Sequence, residues 1–299
     1  MKLLSAHTVA SVALAFICTV QGDSSYDTVP IGSFTPGNNV SSDTQGGSNY
    51  YSIPVSDLTP ANISSDAIRT SLGTTRVVPS GSKTYVAGLR ASAAGDNFCS
   101  AALITPTHLL VGTYCSSGNI RWASIGSHYV NGTQDGEQIK IVAILQHPKS
   151  SSANFSNDFA ILKLERPSKF KPVALAASDD SDIKDGEWAA KMGWDNTGGE
   201  DTMAYELTRA DVQLMSNANC AKETSIDDTM LCSRGVANES SCTGDYGGPV
   251  VVERPTGDVV VGVVSWGNDC GQPGYPSIYS RVSSARAWIA SVTTGVCFH

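Results

Sequence analysis

"SCTGDYGGP", residues Ser241 to Pro249, places a tyrosine, Tyr246, between an aspartate and a pair of glycines, in a run that opens on a cysteine. The question is what a bulky phenol does there. Immediately downstream, "VVVER" and "VVVGVVSW" are joined by "PTGD", a sequence suited to a hairpin turn between two strands. Upstream, short β-prone runs follow one another: "FCSAALIT", "HLLVGTYC", "RWASIGSHYV", "QIKIVAILQHP", "FAILKL", "EWAAKMGW" and "ADVQLM", most of them separated by turn residues. Many short strands with no helices between them indicate β-barrels or sandwiches. One helix is expected near the end, over "SSARAWIASV", capped by Ser283 or Ser284.

The chain has 299 residues, 41% hydrophobic and 16% charged, the composition of a folded globular protein. A net charge of −8 argues against broad nucleic-acid binding and suits a basic partner. Residues 1–22 read as a secretory signal: Lys2 supplies the positive start, Val9 to Val20 the short apolar run, and Val20 and Gly22 the small cleavage-site residues. That run is too short for a comfortable membrane span, and no later segment is long and apolar enough to cross a bilayer. Residues 23–76 are rich in Ser, Gly, Asn, Thr and Pro, which marks a leader or flexible arm. Export makes cysteines meaningful, and seven follow the signal: Cys99, Cys115, Cys220, Cys232, Cys242, Cys270 and Cys297. An odd number leaves one thiol over, and Cys297, close to the terminus, is the natural candidate; it is available for a bridge between two copies. Sequons at Asn39, Asn62, Asn131, Asn154 and Asn238 are candidate glycan acceptors.

The blocks "FCSAALITPTHLLVGTYC", "NDFAILKL", "SCTGDYGGPVV" and "VVSWGNDCGQPGYPSIYSRV" resemble, in order and approximate spacing, the trypsin-like serine peptidases. The resemblance covers essentially all of 77–299. It implies an all-β fold of two six-stranded β-barrels with a C-terminal helix, the first barrel over about 77–172 and the second over about 173–299, with a cleft between them. It also implies disulfides Cys99–Cys115, Cys220–Cys232 and Cys242–Cys270, leaving Cys297 unpaired. In such peptidases a histidine base activates a serine and an aspartate orients the imidazole. Carried onto this chain, the aspartate is Asp158, the histidine position is Tyr114 and the serine position is Tyr246. A phenol with an ordinary pKa of ~10 is no base for a hydroxyl at neutral pH. The Tyr246 oxygen would also overshoot the oxyanion hole that the Gly244 and Tyr246 amides would line. None of His108, His128, His147 and His299 stands in the base position; each reads as a surface or packing histidine. Chemistry is therefore expected to be absent, with no cofactor and no metal required.

Two further departures concern neighbouring features. Ser240 takes the place of the aspartate that floors the specificity pocket of trypsin, beside Gly267 and Ser277, and it completes the Asn238 sequon. Activation in the family would cut after Arg76 and pair the Val77 amine with Asp245, but Pro79 and Ser80 replace the usual glycines; a solvated or backbone-bonded Asp245 is an equal reading.

In finer wording, "VVPSGSKTYVAGLR", "WASIGSHYVNGTQDGEQIKIV" and "PSKFKPVALAASDDSDIKDGEWAAKMGW" are similar to the glucanase inhibitor proteins of oomycete plant pathogens. That resemblance implies a secreted protein that acts in the host apoplast by binding a host plant endo-β-1,3-glucanase, with neither nucleic acid nor membrane as partner. Tyr246, Tyr275 and Trp266 are candidate anchors, core packing being an equal reading for Trp266. The competing classes are a residual peptidase and a non-inhibitory pseudoprotease acting as decoy or adhesin.

Overall fold

The structure is a computed structural model in which residues 75–116, 119–194, 204–234, 246–267 and 275–294 are described, all within one compact unit spanning 59–299. The signal and nearly all of the leader lie outside the described residues. So do Ser240, Cys242, Gly244, Asp245, Cys270, Cys297, His299, Asn39, Asn62 and Asn238.

The first barrel is built from β2 (Val86–Arg90), β3 (Cys99–Thr105), β4 (His108–Val111), β5 (Trp122–Ile125), β6 (Glu137–Gln146) and β7 (Ala160–Leu164), where β1 is Thr75–Val77. Its ladders run β2-β3-β4-β7-β6-β5 and close on β2. Small residues make closure possible: Ala87, Ala101, Ala102, Ala123 and Ala160 are fully buried among Leu89, Leu103, Leu109 and Ile161. The long strand β6 bends at a register shift between Ile141 and Ala143, the irregularity by which a strand turns a barrel corner.

The second ring uses β9 (Trp188–Gly193), β10 (Thr208–Met215), β11 (Met230–Ser233), β12 (Pro249–Arg254), β13 (Gly257–Gly267) and β14 (Ser277–Arg281). Each of these strands pairs antiparallel with two others, in the cycle β9-β10-β11-β14-β13-β12 and back to β9. The short β8 (Ala174–Leu175) adds a parallel pairing to β13. The expected hairpin is present, with Arg254 paired to Gly257 across Pro255 and Thr256. One hydrophobic core runs through both rings and includes Phe159, Met192, Trp194 and Tyr279. The double six-stranded barrel expected from the motifs is the architecture observed.

Three local expectations need correction. "HLLVGTYC" is not one strand: β4 stops at Val111 and Thr113–Ser116 form a single helical turn, α1, held by the Cys99–Cys115 disulfide. The terminal helix α3 (Arg286–Thr294) is entered through a 3₁₀ turn over Val282–Ala285, where α2 is the short turn Asn217–Cys220. Neither serine caps it, because Ser283 Oγ donates to Asp180 and Ser284 Oγ to the Arg281 carbonyl. Thirdly, Arg76 and Val77, read as the seam between leader and first barrel, belong to β1, which pairs with β10 of the second ring. Arg76 is further tied to Asp211 by its guanidinium.

A charged network joins the barrels beside this strand. Lys83 Nζ donates to Glu253 at 2.6 Å and Asp258 at 2.7 Å, and the Tyr85 hydroxyl donates to Asp258 at 2.6 Å. Arg209 holds both Glu253, at 2.8 Å, and Asp211, at 2.6 Å. Burial alone would raise the Glu253 carboxyl, but hydrogen bonds from Arg209 and Lys83 pull it from an ordinary 4.5 down to about 2. A depressed folded-state pKa stabilises above the unfolded value and ceases to do so as pH falls through the folded one. Unfolding free energy is therefore expected to decline by on the order of 2 kcal/mol between about pH 5 and pH 2 through this group. Urea melts across that range check it: Glu253→Gln should be less stable at neutral pH and show a flatter acid limb.

Candidate functional site

The candidate site lies where the turn α1, the loop before β7 and the loop before β12 meet. Asp158 is 5% exposed. Its Oδ1 accepts from the Thr113 amide at 2.7 Å, and its Oδ2 accepts from the Ser265 hydroxyl of β13. Ser280 Oγ donates to the Asp158 carbonyl at 2.9 Å, so strands β13 and β14 of the second ring grip a residue of the first. The carboxylate is thereby oriented by groups from both barrels. A Cβ at Gly112 would stand 3.3 Å from Asp158 Oδ2, so the backbone passes close above it.

Tyr114 follows Thr113 in α1 and points outward, 66% exposed. Tyr246 sits half-buried against the common core, its carbonyl accepting from the Ser100 amide at 3.0 Å. The two phenol rings meet with centroids 5.2 Å apart, tilted by 46°, an arrangement favourable for aromatic pairs. Asp158, Tyr114 and Tyr246, far apart in sequence, are thus assembled at one place.

The backbone after Tyr246 shows why glycine follows it. Gly247 has φ +79°, and a Cβ there would meet Val111 Cγ2 at 2.4 Å and the Ser100 carbonyl oxygen at 2.6 Å. Gly247 also donates to the Val264 carbonyl at 2.9 Å, which anchors the loop on β13. Gly247→Ala is expected to cost on the order of 3 kcal/mol, combining overpacking with a left-handed backbone. The measurement is the urea midpoint, which should fall without a change in slope.

Of Ser240, Gly267 and Ser277, expected around a specificity pocket, Gly267 and the buried Ser277 are ladder partners on β13 and β14, and Ser240 lies outside the described residues. The histidines occupy other settings. His108 Nδ1 lies 2.8 Å from Thr105 Oγ1, His128 Nε2 lies 2.9 Å from Glu206, and the His147 ring sits edge-on to Trp288. Burial, and then Lys163 for His108 and Lys149 for His147, lowers both pKa values below the ordinary 6.5.

The loop before β7 carries a further aromatic group. Phe155 adopts φ +58° and Asn157 φ +50°, a conformation rare for a bulky side chain. Ser156 Oγ on Asp227 and the Asn157 amide on Thr229 Oγ1, at 3.0 Å, hold the loop in place. The result is a Phe155 ring that is 41% exposed and stacked on Trp266 at 5.6 Å. Trp266 in turn packs against Met215, Ile278 and the Cys220–Cys232 disulfide, the core-packing reading of this residue. Tyr275 is 39% exposed. A phenylalanine within the polar run "SSANFSND" was the available signal.

Two closed six-stranded barrels, with an oriented aspartate gripped by both, define the class. A family model described as Trypsin matches residues 73–289, and the chain belongs to that family, within its glucanase inhibitor protein branch. Glucanase inhibitor protein 3 of Phytophthora infestans is 52% identical over 225 residues, covering 73% of this chain and 87% of that one. Glucanase inhibitor protein 2 of the same organism is 45% identical over 224 residues, 73% of this chain and 88% of its own. Glucanase inhibitor protein 2 of Phytophthora sojae is 44% identical over 236 residues, 76% and 81% respectively.

Proposed function

We propose that this chain is a secreted, catalytically silent trypsin homologue that binds and inhibits an endo-β-1,3-glucanase of a host plant in the apoplast, and so suppresses defence. One observation carries the silence. The Tyr114 and Tyr246 rings, 5.2 Å apart, take the places that the family gives to base and nucleophile, while Asp158 remains oriented by Thr113 and Ser265. A scaffold that keeps the Cys99–Cys115 and Cys220–Cys232 disulfides, barrel closure and an oriented aspartate but carries phenols at the reacting positions acts by holding a partner. The relatives are named glucanase inhibitor proteins, which supports a glucanase as the partner.

Binding is assigned to the rim around the phenol pair. Tyr114, Phe155 and Tyr275 each expose a large aromatic side chain, and Trp266 stacks on Phe155. Aromatic side chains of this kind anchor interfaces that bury on the order of 1,600 Å². Among the described residues no helix is long and apolar enough to cross a membrane. Immobilised protein exposed to plant apoplastic fluid should retain a glucanase. Recovery of a host protease inhibitor in its place would instead establish a decoy, and would contradict the proposal.

A further inference from the structure

A cavity of about 390 Å³ opens on the second ring, walled by β9, β10 and β12 and by the turn that carries Lys184 and Glu187. Its size falls within the ~300–1,000 Å³ of small-molecule sites. It shares no residue with the Tyr114–Tyr246 pair or with Asp158. Glu253 stands about 13 Å along β12 from Pro249, at the end of the strand remote from Tyr246.

The cavity exists because its floor is small. Ala190 lies opposite Asp211 on β10 and Val251 on β12, and carries only a methyl between them. Trp188, half-buried, stands at the start of the same strand, opposite Gln213. Gly186, at φ +78°, turns the chain into that strand.

The charges around the rim decide what fits. Arg209 is bound by Asp211 at 2.6 Å and by both oxygens of Glu253, at 2.8 and 3.0 Å. Arg254 is paired with Glu187. A charged ligand would have to displace one of these partners, leaving Glu187 without Arg254 or Glu253 with Lys83 alone, which is unfavourable for a partly buried pair. A neutral ligand rich in hydroxyls need not. Each hydroxyl donates one proton and accepts through two lone pairs, so it can accept from the Arg254 Nε–H and donate to a Glu187 oxygen without separating that pair. The Trp188 indole meanwhile offers an apolar surface for the C–H face of a sugar ring.

We propose that this cavity binds a neutral oligosaccharide, seated against Trp188 between the Arg209 and Arg254 ion pairs. The proposal does not depend on the glucanase assignment. Such a ligand has two sources, a free polysaccharide or a glycan carried by a protein. The test is calorimetric titration of the full secreted chain with laminaritriose, cellotriose and mannotriose separately. The two glucose trimers represent free polysaccharide and the mannose trimer a protein-borne glycan.

Expected is saturable binding of at least one trimer, weakened at least about tenfold by Trp188→Ala. If that variant does not fold, Glu253→Gln serves instead. The far-ultraviolet circular dichroism of the variant should match that of the wild type, so that a loss of binding is not a loss of fold. Absence of saturable binding by all three trimers at tens of millimolar overturns the proposal, as does binding that the substitution leaves unchanged.

Discussion

A fluorophosphonate probe is expected to leave the purified chain unlabelled, and so are the single variants Tyr114→His and Tyr246→Ser. Each single reversion still lacks one member of the triad, and such losses cost on the order of 10⁴ to 10⁶ in turnover in serine peptidases. The double variant Tyr114→His/Tyr246→Ser should acquire label. Asp158 already accepts from Thr113 and Ser265, and a carboxylate has about four lone-pair sites, so room remains for an imidazole N–H. Because Tyr114 is 66% exposed, replacing it disturbs little packing. Mass spectrometry of probe-treated protein decides the matter. An adduct on the wild type would show that a nucleophile operates despite the phenols.

The second large effect concerns affinity. Tyr114→Ala and Phe155→Ala are each expected to weaken glucanase binding by about 30-fold or more, the equivalent of about 2 kcal/mol for an aromatic anchor. Both side chains are substantially exposed, so chain stability should change by no more than roughly 0.5–1 kcal/mol in the Tyr114 variant. Phe155→Ala is a more complex case, since truncation uncovers Trp266 while alanine keeps the Cβ that the left-handed backbone disfavours. Val142→Asp supplies the control, being a 51% exposed position on β6. Surface plasmon resonance with the three variants gives the comparison. Equal losses at Val142 and Tyr114 would remove the cleft rim from the interface.

The parts of this protein legible in its sequence are those in which neighbours in the chain act together. "PTGD" between two valine-rich runs makes its hairpin locally, and the glycine pair after Tyr246 marks a loop in which Gly247 must take φ +79°. Other features depend on partners distant in the chain. Strand β1 was not legible because "TRV" becomes a strand only when Ala210, Arg209 and Thr208 offer it a ladder. The helical turn at Tyr114 looked like a continuation of "HLLV"; Gly112 and the bond between Cys99 and Cys115 redirect it. Of the site, the positions of Tyr114, Asp158 and Tyr246 could be inferred from motifs, whereas their mutual geometry could not. Ser265, 107 residues from Asp158, orients its carboxylate through a contact that no spacing rule reveals. The groove beside Trp188 was likewise hidden, since its ion pairs join β12 to β10 and to the turn before β9 across dozens of residues.

The most direct measurement is a titration of a purified plant endo-β-1,3-glucanase with this protein, following laminarin hydrolysis. Expected is a dose-dependent loss of glucanase activity that ends near one inhibitor per enzyme, with the glucanase chain left uncut on a gel. Unchanged hydrolysis across a panel of glucanase isoforms, or loss of activity through cleavage of the glucanase, would contradict inhibition by binding alone.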